Sequence, residues 1–434
     1  MFSRSGSRLA LLPLCLALLL AGCSTPEPAQ TPPEATLGVQ ATLPDGFTDS
    51  LVLNIAKPTA VAPSPDGQKL LITNQPGRLF VRENNQQSLA LRIRRICSNA
   101  ERGLLGAAFD PNFEQNSFIY LYYTWNKFGT CITNTNRSPV NRVARFTLSP
   151  RNTVVRGSQV VLLESIPSPN GNHNGGDLQF GKDGFLYVSV GDGGCDYERN
   201  SGCKGVNDAA RSKHTLVGKI LRIDRNGNAP ATNPFVTDPG SVACNKLGGA
   251  RPGQSCREVF SLGLRNPFRI AVDPNASGTK VFINDVGQNA REEIDFAKAG
   301  ADYGWNLREG SCNTGSSVAC EDPPAGLTDP VFDYAHNSSG QFSGCRSIAG
   351  SAFVPNGVWP ASFTGSYLFN DFVCGKIFKL TESGGGYTAS TFVDNLGPYS
   401  IVHMVFGKGR DEGSLYYTTY SGGGQVRRIS TTGN

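Results

Sequence analysis

Residues 178–194 read Leu178-Gln179-Phe180-Gly181-Lys182-Asp183-Gly184-Phe185-Leu186-Tyr187-Val188-Ser189-Val190-Gly191-Asp192-Gly193-Gly194. Two apolar, β-rich runs flank a Gly-Lys-Asp-Gly turn, and the second run alternates with period two from Phe185 to Val190. A third run, Lys219-Ile220-Leu221-Arg222-Ile223-Asp224, follows. The same strand–turn–strand–turn–strand grammar occurs six times. The other copies begin at Val61 (VAPSPDGQKLLITNQPGRLFV), Gly106 (GAAFDPNFEQNSFIYLYYT), Arg269 (RIAVDPNASGTKVFINDV), Ser351 (SAFVPNGVWPASFTGSYLFND) and Met404 (MVFGKGRDEGSLYYTTYSGGGQVRRI). No segment keeps a 3.6-residue apolar period over a helical length. A three- or four-strand unit cannot bury both its faces alone, so the copies must pack on one another. The pattern therefore predicts an all-β fold, a six-bladed β-propeller over residues 43–434, with long inter-strand loops on one face. An elongated β-solenoid would need shorter and more regular coils.

Composition agrees. Among 434 residues there are 51 Gly, 24 Phe and 13 Tyr, 39% are hydrophobic and 17% are charged. That apolar content is ample for a packed core and excludes wholesale disorder, while the glycine surplus suits a fold rich in turns. The formal net charge of +5 is not concentrated in any block of Lys or Arg, so the sequence offers no nucleic-acid surface.

The first residues carry an address. Arg4 and Arg8 precede an apolar run from Leu9 to Leu20 that is too short to span a bilayer comfortably and has the make-up of a signal segment. It ends in Leu20-Ala21-Gly22-Cys23, which resembles a bacterial lipobox, and this implies cleavage before a diacylated Cys23. Residues 1–22 then form a lipoprotein signal peptide and 23–42 a Pro-rich tether. The expected location is the cell envelope, facing the periplasm or exterior, with the membrane reached by the lipid anchor only. Setting aside Cys15 and Cys23 leaves ten cysteines, an even number. None is at Cys-x-x-Cys spacing, which favours disulfides over zinc. Cys195/Cys203, Cys244/Cys256 and Cys312/Cys320 flank short loops, and Cys97/Cys131 and Cys345/Cys374 are the remaining pairing.

The chemistry is expected in the long connections. Ser168–Asp177 (SPNGNHNGGD) holds a lone histidine, His173, among Gly and Asn just before a strand. Such a ring can approach a ligand closely, and an imidazole suits proton transfer near neutral pH. An Asx-rich turn that satisfies its own backbone is the alternative. Arg265 and Asn266 likewise read as an ion-pair residue and a turn former, Glu292-Glu293 as a solvated acidic pair, and Tyr303-Gly304-Trp305 as core packing with a polar handle.

Taken in order, GLLGAAFDPNF from Gly103, NHNGGDLQFGKDGFLYVSVGDGG from Asn172, FSLGLRNPFRIAVDP from Phe260, DVGQNAREEIDFAKAGADYGWN from Asp285 and CRSIAGSAFV from Cys345 resemble the glucose/sorbosone dehydrogenase family. The resemblance runs from about Phe47 to Ile429. It implies a six-bladed propeller, and for many members pyrroloquinoline quinone (PQQ) and calcium as cofactors. Hedgehog-interacting-protein-like relatives share the scaffold. Residue by residue, it implies His173 as the base taking the proton from a sugar C1 hydroxyl, and Arg265, Asn266, Arg346 and Glu101 at the cofactor. It also implies a calcium at the Gly287 and Gln288 carbonyls and a second, structural calcium at Glu293 and Tyr303. The chain departs from the PQQ enzymes at four places. Asn172 stands for an aspartate, Glu101 for a glutamine and Arg346 for a lysine, and Pro398-Tyr399-Ser400-Ile401 replaces a stretch with two arginines. The expected activity is oxidation of an aldose sugar at C1, with electrons passed to an envelope acceptor, a cytochrome or a quinone. A cofactor-free carbohydrate- or protein-binding propeller and a calcium-dependent lactonase-like hydrolase are the alternatives. For the hydrolase, Glu101, Asn172 and Asp177 would supply the ligands.

Overall fold

The structure, a computed structural model, describes residues 41–194, 209–316, 318 and 320–432. Six four-stranded antiparallel sheets make up the fold. Blade 1 comprises Pro58–Pro63, Lys69–Asn74, Arg78–Glu83 and Gln86–Arg92. Blade 2 comprises Leu104–Phe109, Phe118–Trp125, Val140–Thr147 and Val160–Pro167. Blade 3 comprises Leu178–Phe180, Leu186–Val190, Lys219–Ile223 and Val259–Leu262. Blade 4 comprises Pro267–Val272, Val281–Asp285, Arg291–Phe296 and Phe332–Ala335. Blade 5 comprises Ile348–Phe353, Tyr367–Asp371, Lys376–Ser383 and Gly386–Val393. Blade 6 takes Ile401–Phe406, Leu415–Thr419 and Gln425–Thr431 from the end of the chain and its outer strand, Phe47–Asn54, from the beginning. The first strand of each blade touches the first strand of the next, and that of blade 6 touches that of blade 1. The ring is closed, which leaves the sheets no exposed inner edge.

Burial follows from this stacking. The alternation at Leu186–Val190 would ordinarily mean one wet face, yet all five residues are buried. Leu186, Val188 and Val190 pack with Tyr120, Tyr122 and Leu163 of blade 2, whereas Tyr187 packs with Ile270 and Ile283 of blade 4. A middle strand of a blade therefore has two dry faces, and polarity is kept for outer strands such as Gln86–Arg92. Four disulfides tie the connections: Cys97–Cys131, Cys244–Cys256, Cys312–Cys320 and Cys345–Cys374. These are four of the five expected pairs, and Cys195/Cys203 lies outside the described residues.

Antiparallel pairing sorts the connections between two ends of the ring. Links from second to third strands, and from each blade to the next, meet at one end. Residues 224–258 and 297–331 join third to fourth strands and so leave from the other. The second of these climbs back, because its Asp302 pairs with Leu262 at the close of blade 3. No helix among the described residues is long and apolar enough to cross a membrane.

Candidate active site between blades 3 and 4

The loop before blade 3 is set by a buried scaffold. Arg102, fully buried, donates from Nε to Ser168 Oγ at 3.0 Å and from Nη1 to the Cys131 carbonyl at 3.1 Å. The Asn174 side chain accepts from Ser168 Oγ at 2.7 Å and Asn141 Nδ2 at 3.0 Å, and donates to the Gly171 carbonyl at 2.9 Å. Gly106 and Gly176 let two backbones meet, since a Cβ on Gly106 would stand 2.1 Å from the Gly176 carbonyl oxygen. His173 is held in this loop at φ 51°, left-handed backbone that a non-glycine residue occupies only when its surroundings enforce it. Glu101 is part of that enforcement, its Oε2 accepting the His173 backbone N–H at 2.8 Å.

His173 Nδ1 lies 2.7 Å from Asp192 Oδ1. Asp192 follows the buried strand Leu186–Val190 and is itself 1% exposed. The Gly194 N–H reaches its Oδ1 at 2.7 Å, and Trp305 Nε1 donates to Oδ2 at 2.8 Å. Burial works to raise the Asp192 carboxyl, but the His173 ring, Arg265 and the Gly194 N–H outweigh it and hold the group below the ordinary carboxylate range. A charged Asp192 selects the tautomer with Nδ1–H and leaves the lone pair on Nε2, for which the structure shows no partner among the described residues.

Arg265 and Asn266 sit beside this pair. The Arg265 carbonyl accepts the Asp192 N–H at 2.8 Å, and Asn266 Oδ1 accepts the Gly175 N–H at 3.2 Å. The backbone N–H groups of both residues donate to Asp285, at 2.8 and 2.6 Å. The Arg265 guanidinium lies 5.4 Å from the Trp305 ring centroid, and Nη1 donates to the Val286 and Gly287 carbonyls at 2.8 and 2.6 Å. Its Nε is buried with no partner among the described residues, a donor suited to an acidic oxygen. That orphan donor, and the planar cation stacked on Trp305, fit a polycarboxylate such as PQQ. The calcium implied at Gly287 and Gln288 fits less well, because a guanidinium already occupies the Gly287 carbonyl and would repel a dication there.

The turn at Gly287–Arg291 is clamped by carboxylates. Glu309 Oε1 accepts N–H groups from Gln288, Asn289, Ala290 and Arg291 at 2.7, 2.8, 2.8 and 3.2 Å. Glu292 accepts the Gly287 N–H at 3.2 Å and bonds His336 Nε2 at 2.6 Å. Arg346 joins the group by this route, lining with His336, Asn337, Ser338 and Gly344 a cavity of about 480 Å³. The solvated reading of Glu292-Glu293 does not hold, because both are buried, at 0% and 7% exposure. The Tyr303 hydroxyl accepts the Lys298 N–H at 3.2 Å and donates to the Phe296 carbonyl. Glu101, Asn172 and Asp177 are spent separately, on the His173 N–H, on Asn170 Nδ2 and on the Leu178 and Ile270 N–H groups.

Asp192 and Trp305 were not singled out as site residues by the sequence. The available signal was a lone carboxylate between glycines at the close of a fully apolar strand, a place where a side chain is both rigidly held and near the channel end.

Fold and site together define a ring-closed six-bladed propeller with a histidine–carboxylate pair at one end. The chain belongs to the glucose/sorbosone dehydrogenase family, whose sequence model matches residues 55–369. It is similar to quinoprotein glucose dehydrogenase B of Acinetobacter calcoaceticus, 26% identical over 355 residues that cover 77% of this chain and 68% of that protein. It is similar also to the HIPL2 protein of Arabidopsis thaliana, 26% identical over 399 residues, 77% of this chain and 53% of that one. The chain thus spans about half the length of the HIPL2 relative. Among solved structures, a glucose dehydrogenase superposes with TM-score 0.70 at 22% identity, covering 89% of this chain and 99% of that one. The PQQ-bound aldose sugar dehydrogenase of Streptomyces coelicolor superposes with TM-score 0.63 at 19% identity, covering 90% and 99%. These two likenesses establish the shared fold.

Proposed function

We propose that the protein oxidises an aldose sugar at C1 to the lactone, with PQQ as the cofactor. The carrying observation is the 2.7 Å contact of His173 Nδ1 with a buried Asp192, which leaves Nε2 as the basic nitrogen beside Arg265 and Asn266. In this reading Nε2 accepts the proton of the C1 hydroxyl. Asp192 keeps the ring in the required tautomer and offsets the positive charge that the ring gains. Trp305 and the Gly194 N–H hold the Asp192 carboxylate still. Arg265 and Arg346 would hold acidic oxygens of PQQ, and Asn266 would face its quinone edge. Bound there, PQQ supplies a two-electron acceptor for the C1 hydride.

The test is PQQ uptake by equilibrium dialysis, joined to sugar-dependent dye reduction over a broad aldose panel. His173→Gln is expected to lower kcat by about 10²- to 10⁴-fold with PQQ uptake unchanged. No PQQ uptake and no dye reduction with any sugar overturns the proposal. One observation favours a second reading, a binding propeller without PQQ. Where the PQQ enzymes carry arginines, Tyr399 packs on Phe372 with ring centroids 5.6 Å apart, and this pair brings no cation. PQQ taken up in stoichiometric amount removes that reading. We propose further that Cys23 carries a lipid anchor, so that Cys23→Ser moves the protein from the membrane fraction to the soluble one.

A further inference from the structure

Blade 4 contains three buried carboxylates on one sheet face. Asp285 and Glu293 are direct partners across two neighbouring strands, and Asp295, two residues beyond Glu293, projects from the same face. Asp285 and Asp295 are fully buried and Glu293 is 7% exposed. One carboxylate oxygen from each lies within 4.8 Å of one from each of the others. Asp285 uses its oxygens on the Arg265 and Asn266 N–H groups. Asp295 differs, because neither of its oxygens has a hydrogen-bond partner among the described residues. A fully buried carboxylate with both oxygens unpartnered is a severe cost in a folded chain, and burying two more acids beside it compounds that cost. Burial first, and then the neighbouring acids, push Asp295 and Glu293 well above the usual carboxylate range. The charges acting on Asp295 are those of Asp285, Asp333 and Asp329, all of the same sign.

We propose that Asp285, Glu293 and Asp295 hold a divalent cation, calcium, inside blade 4. The donor set is all oxygen, which selects a hard cation. Two oxygens on opposite sides of one calcium stand about 4.8 Å apart, twice a bond of about 2.4 Å, so all three can reach one ion as they stand. Neither Asp285 nor Asp295 belongs to the pair Glu293 and Tyr303 that the family resemblance implies, and Tyr303 spends its hydroxyl on Phe296. The ion would act on the candidate site through Asp285, whose charged form orients the backbone of Arg265 and Asn266. The proposal does not depend on the sugar-oxidation reading.

The test uses the full chain, stripped with chelator and dialysed against calcium without PQQ, and reads metal content and melting temperature. Wild type is expected to hold one more calcium per chain than Asp295→Asn. It should also lose on the order of 5 °C on chelation, a loss that the variant does not show. Equal calcium content in wild type and variant, with equal response to chelator, overturns the proposal. Glu293→Gln serves in the same way if Asp295→Asn fails to fold. Should both fail, terbium added to stripped wild type must give tyrosine-sensitised emission that excess calcium removes, since Tyr303 lies in the field of Asp295 and Glu293. Absence of that emission overturns it too.

Discussion

The side chain of Asp192 does three things at once: it bonds His173 Nδ1, accepts from Trp305 Nε1 and caps the Gly194 N–H. Its charge, more than its shape, matters for a base that must carry a proton in the transition state. Asp192→Asn preserves size and most hydrogen bonds but removes that charge and lets the ring adopt either tautomer. We expect kcat to fall by about 10²-fold, with the acidic limb of the pH–rate profile moved to lower pH, because the protonated ring loses its counter-charge. A merely structural role for Asp192 would lower the amount of folded enzyme and leave the profile where it was. Glu101 shows how residue type can mislead. A carboxylate near an anionic cofactor looks unfavourable in sequence, yet this one is turned to the His173 backbone, where it stabilises a left-handed conformation.

At the scale of elements, the candidate site depends on a relay of connections. The Cys97–Cys131 bridge spans 34 residues and fixes the segment whose Cys131 carbonyl accepts from Arg102. Arg102 in turn holds Ser168, and Ser168 holds Asn174 beside His173. Replacing both cysteines by serine should destabilise the protein by about 3–4 kcal/mol, the loop-closure contribution for a bridge of this span, as measured by urea unfolding. It should also lower kcat, because the His173 loop loses one end of its support. If stability falls and kcat is unchanged, the relay does not reach His173. The strand register explains the acidic trio in the same terms. Asp285, Glu293 and Asp295 are remote from one another in composition but adjacent once Asp285 pairs with Glu293.

Across the whole molecule, the ring is held by its polar centre as well as by its apolar blade faces. Arg269 of blade 4 donates to the Val402 carbonyl of blade 6 at 2.9 Å and to the Thr59 carbonyl of blade 1 at 2.8 Å. His403 of blade 6 accepts the Val61 N–H on Nδ1 at 3.5 Å, and its Nε2 lies 3.9 Å from Asp177. Burial, and then Arg269, push His403 well below the ordinary imidazole range, so the folded ring stays neutral. The unfolded chain takes up that proton below about pH 6.5, and stability contributed by the neutral ring is complete above this pH and lost as pH falls. The slope expected from this group is about 1.4 kcal/mol per pH unit. His403→Gln should remove one proton's worth of the pH dependence between about pH 6.5 and 5, followed by chemical denaturation at each pH. An unchanged slope would mean that His403 is protonated in the folded state.

Much was legible from local pattern. Period-two runs, Asp/Gly turns and their sixfold recurrence specify strands and blades, because a hairpin's alternation is written in consecutive residues. The loop around His173 was legible too, since a titratable ring among Gly and Asn is a local feature. What lay beyond reach was set by residues far apart in sequence. Examples are the closure of blade 6 by Phe47–Asn54, the carboxylate of Asp192 against His173 with Trp305 behind it, and the burial of Glu292 and Glu293. Alternation in one strand cannot tell whether its second face meets water or another blade. The amino-acid sequence by itself determined the class of fold, its repeat number and the histidine. Only the tertiary structure decided which carboxylate serves that histidine and where the buried acids gather, because those pairings depend on ring closure and strand register rather than on neighbours in the chain.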